Sequence, residues 1–170
     1  MAKVTLVLGG ARSGKSRHAE SLVEALPAPW AYLATAQAFD TEMAERIALH
    51  RGRRGGGWRT LDAPLDLAGT LAGLPAEMPA LVDCLTLWLT NHLLAEHDLD
   101  AEAARLVDAV SGRRAPVVLV ANEVGLGIVP DNALARRFRD AAGRLNQDLA
   151  ARADRVVFLV AGLPMMVKDQ

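Results

Sequence analysis

The sequence predicts an α/β fold, with one domain that contains a mainly parallel sheet flanked by helices. Strand-like apolar runs alternate with helical patterns along all 170 residues, as in a parallel sheet with crossover helices. Four of the runs are continuously apolar, as expected of strands buried on both faces. The first run leads directly into residues 9–16, which read GGARSGKS and match the phosphate-loop pattern G-x-x-x-x-G-K-[ST]. The sequence therefore predicts a single P-loop nucleotide-binding domain over residues 1–170.

The individual elements follow from apolar periodicity and from turn residues. Strands are predicted over residues 3–9, 30–35, 80–85, 116–122 and 155–161, with a shorter one at 58–61. Helices are predicted over residues 14–26, 40–51, 64–74, 85–95, 101–110 and 132–153. The last helix has the clearest period, with apolar residues at three- and four-residue steps from Leu134 to Leu149, and Asp131 is placed to cap it. Residues 51–57 read RGRRGGG and predict a loop.

Charge and composition argue against several classes of function. The chain is 51% hydrophobic and 23% charged, and its net charge of −1 gives no global attraction for a polyanion. It has no basic tail and no interleaving of aromatic and basic residues, so we expect no nucleic-acid partner. The first apolar run breaks at Gly9 and no stretch is long enough to span a bilayer, so we expect no membrane insertion and a cytoplasmic location. Cys84 is the only cysteine, which excludes an intrachain disulfide.

The phosphate-loop motif assigns roles to its own residues. Its glycines allow the backbone to approach the phosphates, and Lys15 can reach the β- and γ-phosphate oxygens. The hydroxyl of Ser16 is placed to bind Mg²⁺. Arg12 either adds a positive charge to the site or points to solvent. The motif therefore predicts that the chain handles a nucleoside triphosphate.

Polar residues at two strand ends are candidates for the same site. A carboxylate at the end of a buried strand is costly unless it is paired or binds a metal, so Asp83 either holds Mg²⁺, usually through water, or caps the helix that follows. Asn122 and Glu123 end another apolar strand, at the edge where open α/β sheets bind ligands. They do not form the Asn-Lys-x-Asp guanine signature of regulatory GTPases. Glu123 and Asp83 are both candidates for a general base.

A basic cluster surrounds one histidine between residues 42 and 54. On a helix, Arg46, His50 and Arg54 lie on one face at four-residue spacing, with Arg53 beside them. Such crowded positive charge favours a multiply charged anion as its counterpart. His50 is either the nucleophile of this segment or an ordinary surface residue. The remaining histidines are expected at the surface: His18, His92 and His97.

Six segments resemble the bifunctional adenosylcobinamide kinase / adenosylcobinamide-phosphate guanylyltransferase family. They are residues 9–20 (GGARSGKSRHAE), 32–36 (YLATA), 42–51 (EMAERIALHR), 82–91 (VDCLTLWLTN), 122–130 (NEVGLGIVP) and 144–150 (RLNQDLA). The segments stand in the family's order and cover nearly the whole chain. Many families share the phosphate loop, whereas residues 122–130 and the segment that contains His50 are far more specific.

The resemblance implies two successive reactions. The terminal phosphate of ATP or GTP is transferred to the aminopropanol hydroxyl of adenosylcobinamide. GMP is then transferred from GTP to adenosylcobinamide phosphate through a guanylylated histidine, which aligns with His50. The products are adenosylcobinamide-GDP and pyrophosphate. The resemblance also implies a RecA-like sheet and a homotrimer.

The resemblance further implies which residues form the site. His50 and Lys15 are the catalytic residues, and Ser16 and Asp83 hold Mg²⁺. The expected nucleotide contacts are Gly9, Gly10, Ala11, Arg12, Ser13, Gly14, Lys15, Ser16, Ala34, Thr35, Ala36, Arg51, Gly52, Arg53, Arg54, Asp62 and Asp83. The chain departs from the family's pattern at Gly55, where a proline is usual, so this loop has more freedom. Some relatives carry Glu where Asp62 and Asp83 stand.

Two other functions remain open at the level of sequence. One is a simple P-loop kinase of a small metabolite, in which His50 takes no part in the reaction. The other is a RecA-type nucleotide-binding module without catalytic activity. The sequence does not distinguish ATP from GTP as the phosphate donor of the kinase step.

Overall fold

The structure is a computed structural model that describes residues 3–37, 52 and 55–170. The strands of its sheet are β1 Val4–Gly9, β2 Trp30–Ala34, β3 Trp58–Asp62, β4 Ala80–Asp83, β5 Val117–Asn122, β6 Arg155–Val160 and β7 Leu163–Asp169. The helices of the described residues are α1 Lys15–Glu24, α2 Leu67–Gly73, α3 Leu85–Leu94, α4 Leu99–Gly112 and α5 Ala133–Arg152.

One mainly parallel sheet contains all seven strands, in the order β3-β2-β4-β5-β1-β6-β7. Strands β1 to β6 are mutually parallel, and β7 pairs with β6 in the antiparallel sense. The central strands β1, β4 and β5 are buried along most of their length, which explains their continuous apolar sequences. Strand β5 lies between β1, which enters the phosphate loop, and β4, which ends at Asp83. The predicted α/β sheet is confirmed.

Apolar side chains cover both faces of the sheet. On one face α2, α4 and α5 contribute the buried residues Leu67, Leu106 and Leu145. On the other face α1 contributes Ala19 and Val23. Leucine, valine and alanine dominate both layers, as the low aromatic content of 4% requires. Burial of these helix faces fixes the helices against the sheet, and so fixes the strand ends from which the site is built.

Side-chain caps set the starts of three helices. Helix α2 begins at Leu67, later than predicted, because the carboxylate of Asp66 accepts a backbone N–H of the first turn. Helix α4 begins at Leu99, earlier than predicted, because the carboxylate of Asp98 accepts backbone N–H groups of its first turn. The prediction that Asp131 caps the last helix is wrong, because the side chain of Asn132 accepts that hydrogen bond at 2.7 Å.

The short strand predicted at 58–61 is confirmed as β3, whereas β7 was not predicted. Residues 163–169 read LPMMVKD, which lacks the alternation of a half-buried strand and includes a proline. They pair with β6 after a turn at Gly162, whose φ is 82°.

The helix predicted over 40–51 lies outside the described residues. In the part of the chain that is described, none of the helices has both the length and the apolar composition of a membrane span.

Candidate nucleotide site at the carboxyl edge of the sheet

The carboxyl ends of five parallel strands gather the predicted site residues at one edge of the sheet. The strand register pairs Gly9 of β1 with Asn122 of β5, and it pairs Ala34 of β2 with both Asp62 of β3 and Asp83 of β4. Parallel strands place the same end at the same edge, so residues far apart in sequence become neighbours. This edge is where open α/β sheets bind ligands.

The phosphate loop connects β1 to α1 and leaves the start of the helix available to an anion. Gly14 occupies the N-cap position with a φ of 92°, and it provides no side chain to cap the first backbone N–H groups. Arg12 is exposed and also has a positive φ, 53°. An uncapped helix N-terminus carries N–H donors and the positive end of the helix dipole. The loop therefore has the geometry of a phosphate site.

Two neighbouring segments hold the loop from either side. The backbone N–H of Glu123 donates to the carbonyl of Gly9 at 3.0 Å, and the N–H of Gly162 donates to the carbonyl of Ser13 at 3.0 Å. Gly9 also lies against β6, because a Cβ built there would come within 2.7 Å of the carbonyl oxygen of Leu159. The side-chain oxygen of Ser13 is buried without a hydrogen-bond partner inside the loop. The loop is thus fixed by residues that follow β5 and β6.

Lys15 is enclosed by the loop that it belongs to. Its side chain is 8% exposed, and its Nζ donates to the carbonyl of Gly10 at 2.6 Å. Burial lowers the pKa of Lys15, while the nearby Cys84 and Asp83 partly oppose that shift. The ammonium group is therefore already located at the loop interior, next to the backbone that would surround a phosphate.

Asp83 accepts a hydrogen bond from a neighbouring strand. The hydroxyl of Tyr32 donates to Oδ2 of Asp83 at 2.9 Å. Helix α3 begins after Cys84 without a side-chain cap, so the alternative in which Asp83 caps this helix has no support in the structure. Burial raises the pKa of the Cys84 thiol to about 11, and the carboxylate of Asp83 adds to that shift. The thiol is thus uncharged near neutral pH.

The residues that follow β2 and β3 complete this edge. Thr35 is fully buried; its hydroxyl donates to the carbonyl of Cys84 at 2.6 Å and accepts the Cys84 N–H at 2.8 Å. Ala36 is half-buried, and Asp62 is exposed at the end of β3. The backbone of Thr35 is also used within the protein, because its N–H donates to the carbonyl of Asp83 at 3.3 Å and its carbonyl accepts a hydrogen bond from Asn91.

Several predicted site residues lie outside the described residues. They are His50, Arg51, Arg53 and Arg54, together with Arg46 of the basic cluster. Gly52, which stands between them, is described and exposed. The nucleophile and the arginine cluster therefore stay predictions from sequence, whereas the phosphate loop, Ala34–Ala36, Asp62 and Asp83 are placed at one edge of the sheet.

The expectation that His92 is a surface residue is wrong. His92 is 2% exposed and lies edge-on to the ring of Trp88. Its Nε2 is 3.1 Å from the carbonyl of Leu65, and its Nδ1 is 2.9 Å from Nδ1 of His97. A carbonyl only accepts, so Nε2 carries the proton of His92 and Nδ1 accepts from His97. Burial lowers the pKa of His92, which is consistent with a neutral ring.

Sequence reasoning missed two further features near this edge. One is Tyr32, because a tyrosine within an apolar strand reads as a core residue. The other is an exposed apolar segment that follows β5, in which Ile128 is 98% exposed and Leu126 and Val129 are also exposed. The spacing of glycines in NEVGLGIVP indicated a loop but not the exposure of its apolar side chains.

Comparison with known proteins identifies the family. The family model for cobinamide kinase / cobinamide phosphate guanyltransferase matches residues 5–167. The chain belongs to this family. The bifunctional adenosylcobalamin biosynthesis protein CobP of Pseudomonas aeruginosa is 52% identical to it over 168 residues, which cover 97% of each chain. The bifunctional adenosylcobalamin biosynthesis protein CobU of Salmonella typhimurium is 46% identical over 180 residues, covering 96% of this chain and 98% of the relative. The resemblance inferred from the six sequence segments is confirmed.

Solved structures support the fold of this cobinamide kinase / cobinamide phosphate guanyltransferase family member. The RadB recombinase matches 91% of this chain and 73% of its own, with a TM-score of 0.54 and 19% identity. An ATPase from the type III secretion system of pathogenic bacteria matches 96% of this chain and 56% of its own, with a TM-score of 0.53 and 11% identity. These similarities concern the fold alone, and they confirm the expected RecA-like P-loop architecture.

Proposed function

We propose that this chain catalyses two reactions of adenosylcobalamin biosynthesis. It phosphorylates adenosylcobinamide with ATP or GTP, and it then transfers GMP from GTP to adenosylcobinamide phosphate. The observation that carries the proposal is the phosphate loop that enters an uncapped α1 at the carboxyl edge of the sheet, in a chain of the cobinamide kinase family. Both nucleotides are supplied in the cytoplasm, and we propose that location for the protein.

In the kinase step, the aminopropanol hydroxyl oxygen attacks the γ-phosphorus and the bond to the β-phosphate oxygen breaks, so a nucleoside diphosphate leaves. Lys15 and the N–H groups at the start of α1 stabilise the charge that develops on the phosphate oxygens. The proton of the hydroxyl passes to a general base, for which Glu123 and Asp83 are the candidates. Asp83 is the last residue of β4 and Glu123 directly follows β5, at the edge that holds the phosphate loop.

In the transferase step, an imidazole nitrogen of His50 attacks the α-phosphorus of GTP and pyrophosphate leaves. An oxygen of adenosylcobinamide phosphate then attacks the same phosphorus, and the P–N bond to His50 breaks. Imidazole serves this role because it is both a nucleophile and a competent leaving group. The assignment of His50 rests on its sequence segment, with Arg51, Arg53 and Arg54 as charged neighbours of the transferred phosphate.

Magnesium fits the side chains at the carboxyl edge. We propose that Ser16, which is half-buried at the start of α1, and Asp83 hold the ion. Hydroxyl and carboxylate oxygens are hard ligands, and Mg²⁺ in nucleotide sites typically uses one or two carboxylates together with substrate phosphates. When bound, Mg²⁺ neutralises charge on the β- and γ-phosphates. Tyr32 donates to one oxygen of Asp83 and so orients the carboxylate.

The other nucleotide contacts are proposed at the same edge. They are the backbone of Ala34–Ala36 and the carboxylate of Asp62. Ala34 and Asp62 are the last residues of the adjacent strands β2 and β3 and pair with each other. Asp62 is exposed and can accept hydrogen bonds from a ribose or a base. In the sheet, β4 lies between these two strands and the strands β5 and β1. The positions on β2 and β3 are therefore on the side of Asp83 that is away from the phosphate loop.

The test uses GTP labelled at the α-phosphate. We expect the protein to acquire a covalent label that is labile in acid and stable in alkali, as expected of a P–N bond. His50→Ala should lose the label, whereas His97→Ala, which removes an exposed imidazole, should keep it. A simple P-loop kinase would instead transfer the γ-phosphate, take up no α-label and be insensitive to His50→Ala. Absence of label on the unsubstituted protein would reject the transferase half of the proposal.

We propose that the protein is a homotrimer, as the family resemblance implies. A closed ring of three subunits joins two different surfaces of each subunit. The described residues carry two exposed apolar surfaces, one at Leu126–Val129 and one on β7, where Leu163, Met165 and Val167 are exposed. We expect light scattering to give three times the chain mass of 18.1 kDa. A mass of one chain at micromolar concentration would reject the trimer.

A further inference from the structure

One buried amide connects the loops that follow two strands of the site. Asn91 of α3 is 7% exposed. Its Nδ2 donates to the carbonyl of Thr35 at 2.9 Å and to the carbonyl of Pro64 at 2.9 Å. Thr35 directly follows β2, and Pro64 stands two residues after Asp62 at the end of β3. Both amide protons therefore hold main-chain atoms at the carboxyl edge of the sheet.

The same network extends to the strand that ends in Asp83. The hydroxyl of Thr35 donates to the carbonyl of Cys84 and accepts its N–H, as described above. The side chain of Asn91 thus fixes the backbone of Thr35, and the side chain of Thr35 fixes the backbone that follows Asp83. Hydrogen bonds in such a buried chain polarise one another, and removing one partner leaves polar groups unsatisfied.

Helix α3 is a rigid base for this connection. Its Trp88 donates from Nε1 to the carbonyl of Leu65 at 2.8 Å, and the protonated Nε2 of His92 contacts the same carbonyl. Three side chains of α3 therefore contact the two neighbouring carbonyls of Pro64 and Leu65, in the segment that follows Asp62. An apolar side chain at position 91 would fill the space but would leave the carbonyls of Thr35 and Pro64 without the donors that hold them.

We propose that Asn91 is a positioning residue for the nucleotide site. It fixes the distance between the segment Ala34–Ala36 and the segment that carries Asp62, and through Thr35 it aligns the end of β4 with both. The inference rests on the proposed assignment of these segments to nucleotide contacts. It predicts that cutting the network weakens GTP binding more than an equally destabilising change elsewhere in the fold.

The experiment measures GTP affinity by calorimetry and thermal stability by circular dichroism in matched variants. Asn91→Leu should raise the Kd for GTP about tenfold at a temperature where it is fully folded. If Asn91→Leu does not fold, Thr35→Val serves in its place. It cuts the network at Cys84 and should also weaken GTP binding. The control is Arg113→Met, because Arg113 is buried and donates to the carbonyls of Leu71, Leu74, Pro75 and Met78 at the opposite edge. It should lower the melting temperature and leave the Kd within about twofold.

A pH profile separates positioning from simple loss of stability. In Asn91→Asp, the side chain donates one hydrogen bond when protonated and none when ionised. The ratio of its GTP Kd to that of the unsubstituted protein should therefore fall as the pH is lowered, whereas the ratio for Arg113→Met should stay constant.

Two results would overturn the inference. One is a Kd for Asn91→Leu and Thr35→Val that matches the unsubstituted protein, and the other is an equal loss of affinity in Arg113→Met. The experiment measures GTP binding alone. If the protein binds GTP but does not act on adenosylcobinamide, the proposed function is rejected, while the role of Asn91 can still be measured.

Discussion

The two adjacent glycines of the phosphate loop should respond very differently to the same substitution. A Cβ built on Gly9 would lie 2.6 Å from the Ser13 Oγ and 2.7 Å from the carbonyl oxygen of Leu159. A Cβ on Gly10 would have no neighbouring atom within 4 Å. The hydroxyl of Ser13 can rotate away, but the carbonyl of Leu159 belongs to β6, which pairs with β1 and β7. Gly9→Ala must therefore displace main-chain atoms.

Overpacking of this kind costs about 1–3 kcal/mol of the free energy of unfolding. For a chain of this size, that corresponds to a melting temperature lower by roughly 2–12 °C. Gly10→Ala should have the same melting temperature as the unsubstituted protein. GTP affinity should fall in Gly9→Ala as well, because the added Cβ also displaces the side chain of Ser13 within the phosphate loop.

The assay is thermal unfolding of the two variants side by side, followed by calorimetric titration with GTP. A Gly9→Ala variant with the melting temperature of the unsubstituted protein would refute the argument that Leu159 leaves no room for a methyl group. A Gly10→Ala variant that loses as much stability as Gly9→Ala would instead indicate that any side chain in this loop disturbs the fold.

Three further predictions concern single contacts. Tyr32→Phe removes the hydrogen bond to Asp83 and should raise the KM for Mg²⁺-GTP about three- to tenfold. Hydrogen bonds to charged groups contribute about 1.5–3 kcal/mol, and we expect less at this half-buried carboxylate. Cys84, whose pKa burial raises to about 11, should resist alkylation in the native protein at pH 8 and react on unfolding, as measured by mass spectrometry. The backbone N–H of Val4 lowers the pKa of Asp154, so Asp154→Asn should be less stable than the unsubstituted protein at neutral pH. That difference should disappear in acid, because the contribution is present above the unfolded-state pKa of 3.8 and is lost as the pH falls through the folded-state pKa.

Each of these predictions has an outcome that contradicts it. A Tyr32→Phe variant with unchanged KM would show that the orientation of Asp83 does not depend on the phenol. Rapid labelling of Cys84 without loss of structure would mean that the thiol reaches solvent. A stability difference for Asp154→Asn that persists unchanged at acidic pH would show that the carboxylate charge does not contribute.

The sequence predicted most of the fold because the signals were local and repeated. Continuous apolar runs located β1, β4 and β5, and the phosphate-loop motif required a strand before it and a helix after it. Strand β7 was missed because an exposed edge strand has no buried face to impose a period of two. Its pairing with β6 follows from the turn at Gly162 rather than from its composition.

The candidate site was predictable where a local sequence signal marks its residues. The phosphate-loop motif located Gly9 to Ser16 and the end of a buried apolar strand located Asp83, and the structure places them at one edge of the sheet. Tyr32 and Asn91 were not found, because their roles come from contacts between segments that are distant in sequence. A buried histidine such as His92 was also missed, since helix periodicity does not reveal the carbonyl of Leu65 that satisfies it.

The position of β5 sets the separation between the strand that enters the phosphate loop and the strand that ends at Asp83. Adjacent strands are about 4.8 Å apart, so β1 and β4, which flank β5, are separated by roughly 9–10 Å. If Ser16 and Asp83 hold Mg²⁺ as proposed, their side chains would have to reach towards each other across the end of β5, so the length of the side chain at position 83 would matter. Asp83→Glu, with one more methylene, is the substitution that tests this dependence.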